Sequence, residues 1–120
     1  MNLKELYDYL MENNGFTIDF NLEIPNDLKY IVSIPNCEII IPLKELTFEV
    51  FKANLSKTVK NFILTDYNNK YIGCWINSDK VYFDISISCN NIKDALIIGK
   101  ENNQLAIYDF INQKSIYIEG

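Results

Sequence analysis

Residues 71–89 read YIGCWINSDKVYFDISISC, and their alternation decides the fold class. Val81, Phe83, Ile85, Ile87 and Cys89 fall on one side of an extended chain, with Tyr82, Asp84, Ser86 and Ser88 on the other. A period of two is the signature of a strand with one packed face and one polar face. Just upstream, Ile72, Cys74 and Ile76 oppose Tyr71, Gly73 and Trp75 in the same way, and Ser78-Asp79-Lys80 supplies turn chemistry between the two runs. Two antiparallel strands therefore meet in a tight turn, and the remaining elements must be read around them.

Working back toward the N-terminus, Asn68-Asn69-Lys70 reads as another turn tip, because Asn tolerates the left-handed backbone of a tight hairpin. The segment before it is ambiguous. Leu43, Leu46, Val50, Phe51 and Leu55 have helical spacing, with Pro42 at or near the first helical position. Thr58–Tyr67 (TVKNFILTDY) reads as a strand, although Val59 and Phe62 share the helical face and allow the helix to continue. The favoured reading is a helix over 43–54 and a strand over 59–66, which completes a three-stranded meander with 71–77 and 81–89.

The first third of the chain opens with a helix over 3–13. Leu3, Leu6, Tyr7, Leu10 and Met11 form its apolar stripe, Asn2 and Glu5 form a capping box, and Gly15 is a natural residue just past its end. Phe16, Ile18, Phe20, Leu22 and Ile24 then alternate with polar residues, and Leu28, Tyr30, Val32 and Ile34 do so again after Pro25-Asn26-Asp27. These two runs are expected to form a hairpin. Pro35-Asn36 turns the chain into the short apolar run 37–41, which Pro42 ends.

Downstream of residue 89, Asn91 is placed to cap a helix that begins at Ile92, with Asp94 in its first turn and Ala95, Leu96, Ile98 and Gly99 on its packed side. Asn102-Asn103 stops it, a strand runs over 104–110, Asn112-Gln113-Lys114 turns, and 115–119 closes a terminal hairpin. No repeat or linker divides the chain, so the expectation is a single domain, 1–120, of the α+β class: a mainly antiparallel sheet of hairpins and a meander with two or three helices.

Composition narrows the chemistry. The chain has no His, and all 11 cations are Lys, so the commonest general base and the bidentate guanidinium fork are both missing. Cys37, Cys74 and Cys89 are too widely spaced for a zinc site and read as buried small hydrophobes in a reducing compartment. A nucleophilic Cys would lack a His partner. No phosphate-cradling glycine motif, nucleophile elbow or metalloprotease motif occurs. No metal and no cofactor is expected. A formal net charge of −5 opposes direct nucleic-acid binding and suits a basic protein partner. The charged, helical N-terminus and the lack of a long apolar run point away from the membrane and toward the cytoplasm. Abundant Ile, Asn, Lys, Tyr and Phe suggest the genome of a low-GC bacterium or of one of its phages and mobile elements.

Candidate contact residues fall into two groups. Glu5, Asp8 and Glu12 share the outer face of the first helix and offer charge. Tyr71, Trp75 and Tyr82 line the face of the 71–89 strands opposite the apolar rows and offer aromatic anchors, unless a helix covers that face. Asp84 and Asp109 are carboxylates that adjacent strands could bring together.

The stretch from Tyr82 onward adds a resemblance. A strand followed by NNIKDALIIGKENNQLAIYDFINQKSIYI resembles the tail of small proteins carried by phages and conjugative elements of low-GC Gram-positive bacteria. The residues that carry it are Ala95, Leu96, Asn103, Gln104, Ala106, Ile107, Tyr108 and Asp109, over about a third of the chain. It implies a bacterial host cytosol and, by class-level analogy, an anti-CRISPR or other anti-defence inhibitor. The partner so implied is a host protein such as a basic, nucleic-acid-binding defence nuclease. Small-molecule (nucleotide-signal) sequestration is the alternative, a carboxylate-based hydrolase is the third reading, and self-association through an exposed strand is a further option.

Overall fold

The computed structural model describes residues 1–34 and 37–118. The chain is α+β: three α-helices lie against a seven-stranded sheet in which every pairing is antiparallel. The elements are α1 (Leu3–Asn13), β1 (Gly15–Ile18), β2 (Tyr30–Ser33), β3 (Ile39–Pro42), a short 3₁₀ turn at Leu43–Glu45, α2 (Phe48–Leu64), β4 (Lys70–Asn77), β5 (Lys80–Cys89), α3 (Ile92–Glu101), β6 (Ala106–Asp109) and β7 (Lys114–Tyr117). The strand order is β1-β4-β5-β2-β6-β7, and β3 also pairs with β5.

The local signals form as their chemistry requires. Asn2 and Glu5 make the reciprocal capping box of α1, and Asn91 accepts the Asp94 amide at the start of α3. Asn103, just past α3, is left-handed at φ 57°, as are Asn69 (53°) and Ser78 (60°) in the turns flanking β4. The residue that turns the chain out of α1 is Asn14, at φ 63°, and not Gly15, which already belongs to β1.

Four sequence expectations are corrected. The strand expected over 16–24 stops at Ile18, because the Asp19 carboxylate accepts the Asn21 and Glu23 amides and folds the chain into a tight turn. The expected hairpin between that strand and 28–34 does not form: β1 pairs with β4, and β2 with β5 and β6. Pro42 closes β3 instead of opening α2, whose cap is the Thr47 hydroxyl. The strand expected over 59–66 is the second half of α2, so the meander reduces to the β4–β5 hairpin. The expected turn at Pro35-Asn36 and the end of the strand expected over 115–119 lie outside the described residues.

Long-range packing decides α2. Phe51, Leu55, Thr58 and Phe62 recur at helical spacing and are all buried, and Phe51 packs edge-on and tilted against Phe16 and Phe83 of the sheet. The β-branched residues between them cost little against that burial. The helix end is closed from the sheet: the Lys70 ammonium donates to the Phe62 and Thr65 carbonyls at 2.6 and 2.7 Å and stands over the Phe62 ring. A cation there satisfies orphan carbonyls and meets the negative end of the helix dipole.

All three helices pack on one face of the sheet. Leu6 and Leu10 of α1, Phe51 and Leu55 of α2, and Ile72, Val81, Phe83 and Ile85 of the central strands make the main cluster. Ala95 of α3 joins Val32, Cys89 and Ile107 in a smaller one. Cys74 and Cys89 are buried, whereas Cys37 is only half-buried. Among the described residues no helix is long and apolar enough to cross a membrane. Replacing the Lys70 cap should destabilise the fold: Lys70→Met is expected to lose about 1–2 kcal/mol in urea unfolding, since two charge-assisted bonds to buried-end carbonyls disappear. An unchanged midpoint would mean that water caps α2 equally well.

Candidate functional site

The other face of the sheet is where polar and aromatic residues collect. Cross-strand register sets the arrangement: Gly15 stands opposite Trp75, Thr17 opposite Gly73, Trp75 opposite Tyr82 and Gly73 opposite Asp84. Two glycines make the bed for the Trp75 indole. A Cβ at Gly15 would run into the six-membered ring, and a Cβ at Gly73 would meet the Asp84 carboxylate and come within 2.9 Å of the indole nitrogen. Trp75 thus lies flat across β1 and β4, with its N–H turned toward Asp84.

The sheet is strongly curled over this face. β4, β5, β2 and β6 are successive neighbours, so three strand spacings, about 14 Å when flat, separate Trp75 from Tyr108 laterally. They are further offset by the six positions from Tyr82 to Ser88, about 20 Å along the strand. Their rings are nevertheless 6.1 Å apart. β6 pairs with β2 only at Tyr30 and Ile31, and the β6–β7 hairpin then swings toward Trp75. The result is a cleft of about 310 Å³ walled by Trp75, Tyr82 and Tyr108, with Ser33, Ser86 and Asp84 on its floor and Glu38 at its side.

Asp84 sits opposite a break in the sheet. β5 pairs with β3 through residues 80–83 and with β2 through 86–89. Ser33 pairs with Ser86 and Ile39 with Phe83, and the Ile34 amide still donates to the Ile85 carbonyl at 2.9 Å. Glu38, the residue before β3, lines the same cleft as Asp84. Asp84 is only 6% exposed, and the Ser33 hydroxyl donates to its Oδ2 at 3.2 Å. Burial pushes its carboxyl up to about 6; the Ser33 hydroxyl and the Trp75 indole N–H hold it back, while the charge of Glu38 pushes it further. Behind it, on the helix side of β4, burial and the charge of Asp84 push the Cys74 thiol far above its ordinary range. The Thr17 hydroxyl, also buried, has no hydrogen-bond partner among the described residues.

The structure separates the residues that the sequence suggested. Trp75 and Tyr82 line the cleft; Tyr71, on the same face opposite Ser86, stands away from it. No helix covers these aromatics among the described residues. Glu5, Asp8 and Glu12 lie on α1, on the opposite side of the sheet, where Glu5 is engaged in the capping box and Asp8 pairs with Lys4 at 3.2 Å. Asp84 and Asp109 are not partners: β2 lies between their strands. The Asp109 carboxylate instead accepts the Ile111 and Asn112 amides and the Asn112 side chain, and the Asn112 bonds lower its pKa. Glu38, Ser33 and Tyr108 escaped sequence reasoning, because only the pairings of β2 and β3 with β5 and of β6 with β2 bring them beside Trp75. The alternation of Ala106 and Tyr108 against Ile107 was the one local hint.

The chain matches no family model, no curated protein and no solved structure.

Asp84 yields a stability prediction. Its pKa is raised on folding, so its favourable contribution is complete below about pH 4 and is lost as pH rises through about 6. Asp84→Asn keeps both the acceptor for Trp75 and a partner for Ser33 without the buried charge. It is expected to be more stable than the parent by about 1–3 kcal/mol near neutral pH and nearly equal to it near pH 4. Urea unfolding at both pH values checks this; a variant weaker than the parent at neutral pH would overturn the assignment. For Gly73→Ala the expected loss is about 1–3 kcal/mol, with a red-shifted Trp75 emission as the indole is lifted from its bed. An unshifted spectrum would show that the bed is not needed.

Proposed function

We propose that this chain is a non-enzymatic partner-binding protein that uses the curled, helix-free face of its sheet to occupy a functional surface of another protein. The observation that carries this reading is the cleft itself: half-buried Trp75, Tyr82 and Tyr108 converge over a buried carboxylate on a face left bare of helices. Trp and Tyr set in a concave, partly desolvated site are the residues that dominate binding energy at protein interfaces. The net charge of −5 favours a basic surface. Glu5, Asp8 and Glu12 form a separate acidic surface on the far side and add long-range attraction without touching the same patch of the partner.

The proposed setting is the one that the C-terminal resemblance implies: a phage or mobile element in a low-GC bacterium, with a basic, nucleic-acid-binding defence protein as target. Charge and shape support inhibition by surface occupation better than catalysis. The test is capture of partners from such a lysate by the tagged chain at low and moderate salt, beside Trp75→Ala and a triple variant of Glu5, Asp8 and Glu12 to Gln. A stoichiometric, salt-sensitive basic partner is expected. Trp75→Ala should weaken it by about 2 kcal/mol or more, roughly thirtyfold, with the fold confirmed by circular dichroism. The triple variant should mainly slow association. A partner retained unchanged by folded Trp75→Ala would place the interface elsewhere.

A second reading has its own observation. Asp84, raised toward neutrality, and Glu38 share one cleft, as an acid and a base would in a carboxylate-based hydrolase. Turnover of chromogenic glycosides, abolished in both Asp84→Asn and Glu38→Gln, would establish it. The cleft volume also lies in the range of small-ligand pockets, and thermal stabilisation by a nucleotide panel would favour sequestration instead.

A further inference from the structure

Two carboxylates in this cleft have no cation of their own. Among the described residues the ion pairs join Met1 to Glu23, Lys4 to Asp8 and Lys52 to Glu49; neither Glu38 nor Asp84 takes part. Three aromatic residues stand around them, with the Trp75 and Tyr108 rings inclined at 45°. A negative floor beneath electron-rich ring faces is the environment that desolvates and holds an organic cation. Lys80, at the head of β5 opposite Asn77, does not line the cleft, and no other Lys does among the described residues.

We propose that the cleft is a receptor for a single arginine side chain projecting from the partner protein, its guanidinium stacked among Trp75, Tyr82 and Tyr108 and bonded to Glu38 and Asp84. This rests on the partner-binding reading above and names the chemistry by which the partner is recognised. Arginine fits better than lysine: its planar, weakly hydrated fork both stacks on aromatic faces and donates to two carboxylates at once. Residues 1–120 contain no arginine, so neither they nor a second copy of them can supply this guest.

Protonation sharpens the prediction. The groups that share the cleft with Asp84 are Glu38 just before β3, Tyr82 on β5, Tyr108 on β6, Trp75 on β4, Ser33 on β2 and Ser115 on β7, with Cys74 behind it; β1 contributes only Thr17, opposite Gly73. Asp84 takes up a proton as pH falls through about 6, which removes charge from the floor. Arginine binding must therefore strengthen as pH rises through that value, by up to about tenfold between pH 5 and pH 7.5.

Trp75 is the only tryptophan, so its emission reports this cleft alone. The experiment titrates the full chain with Ac-Gly-Arg-Gly-NH2, with its lysine counterpart and with the neutral citrulline isostere, up to about 10 mM, the range suited to one side chain. A saturable change is expected for the arginine peptide, at least about fivefold weaker for lysine and absent for citrulline. Glu38→Gln, at an exposed position that leaves the fold intact, should weaken the arginine response severalfold. Equal responses to arginine and citrulline, equal responses to arginine and lysine, or a pH dependence of opposite sign would overturn the proposal. So would a concentration-dependent emission with self-association in sedimentation, which would give the cleft to a second copy. If the arginine peptide gives no response while Trp75-dependent capture of a protein partner persists, the guanidinium site falls and the partner-binding reading stands. If both fail, both are wrong.

Discussion

The ten residues of β5 hold the molecule together, because that one strand hydrogen-bonds to three others. Along one edge it pairs with all of β4; along the other it pairs first with β3 and then with β2. Its inward row, Val81, Phe83, Ile85 and Ile87, meets α1 and α2 in the main core. Its outward row includes Tyr82, Asp84 and Ser86 of the cleft. A one-residue slip of this strand would exchange the two rows and bury three polar groups against the helices, so the register of the whole sheet is held by a single alternation.

This arrangement gives the two faces different energetics. On the helix side, aliphatic and phenyl side chains are removed from water almost completely, and the fold draws its stability from there. On the bare side, Asp84, Ser86 and Thr17 are buried by neighbouring rings and strands with few partners: Ser33 and Trp75 serve Asp84, and nothing among the described residues serves the Thr17 hydroxyl. Each such group costs free energy relative to an apolar residue of similar shape. Gly15 and Gly73 weaken two strands in addition, by giving up side chains so that one indole can lie flat. A sequence shaped for stability alone would place Val or Ile at these positions.

What the sequence disclosed was what neighbours along the chain decide. The alternation of 71–89, the Asn2–Glu5 capping box, the Asn91 cap and the left-handed Asn69 and Asn103 all depend on residues within a few positions of one another, and all form. What it concealed was decided by distant partners. Thr58–Leu64 is rich in β-branched residues and reads as a strand by propensity, yet Phe51, Phe16 and Phe83 favour burying Phe62 and Thr58 on a helical face. The hairpin expected between 16–24 and 28–34 failed because Asp19 captures two amides locally, freeing β1 to seek β4. Trp75 and Tyr82 could be found because they lie on adjacent strands of one hairpin. Glu38 and Tyr108 could not, since their positions depend on the pairing of β3 with β5 and on a β2–β6 pairing that spans nearly eighty residues.

The same contrast separates structural acids from the remaining ones. Glu5, Asp19 and Asp109 each accept backbone amides, and Asp94 accepts the side-chain amide of its helix cap Asn91, so these carboxylates are engaged within the fold. Local sequence logic accounts for every one of them. Asp84 and Glu38 cap nothing and pair with no lysine among the described residues, and both line the cleft. Local sequence rules and the stability of the chain taken alone explain neither of them, and both stand beside the only tryptophan. Where consistency between local preference and global fold breaks down, the usual cause is a requirement imposed from outside the molecule. Here the breaks coincide on one concave surface: two strand glycines, a buried carboxylate and a hydroxyl without a partner among the described residues. Independent drift would scatter such costs over the sheet. Their convergence around Trp75 makes this face the part of the molecule where stability is given up most densely.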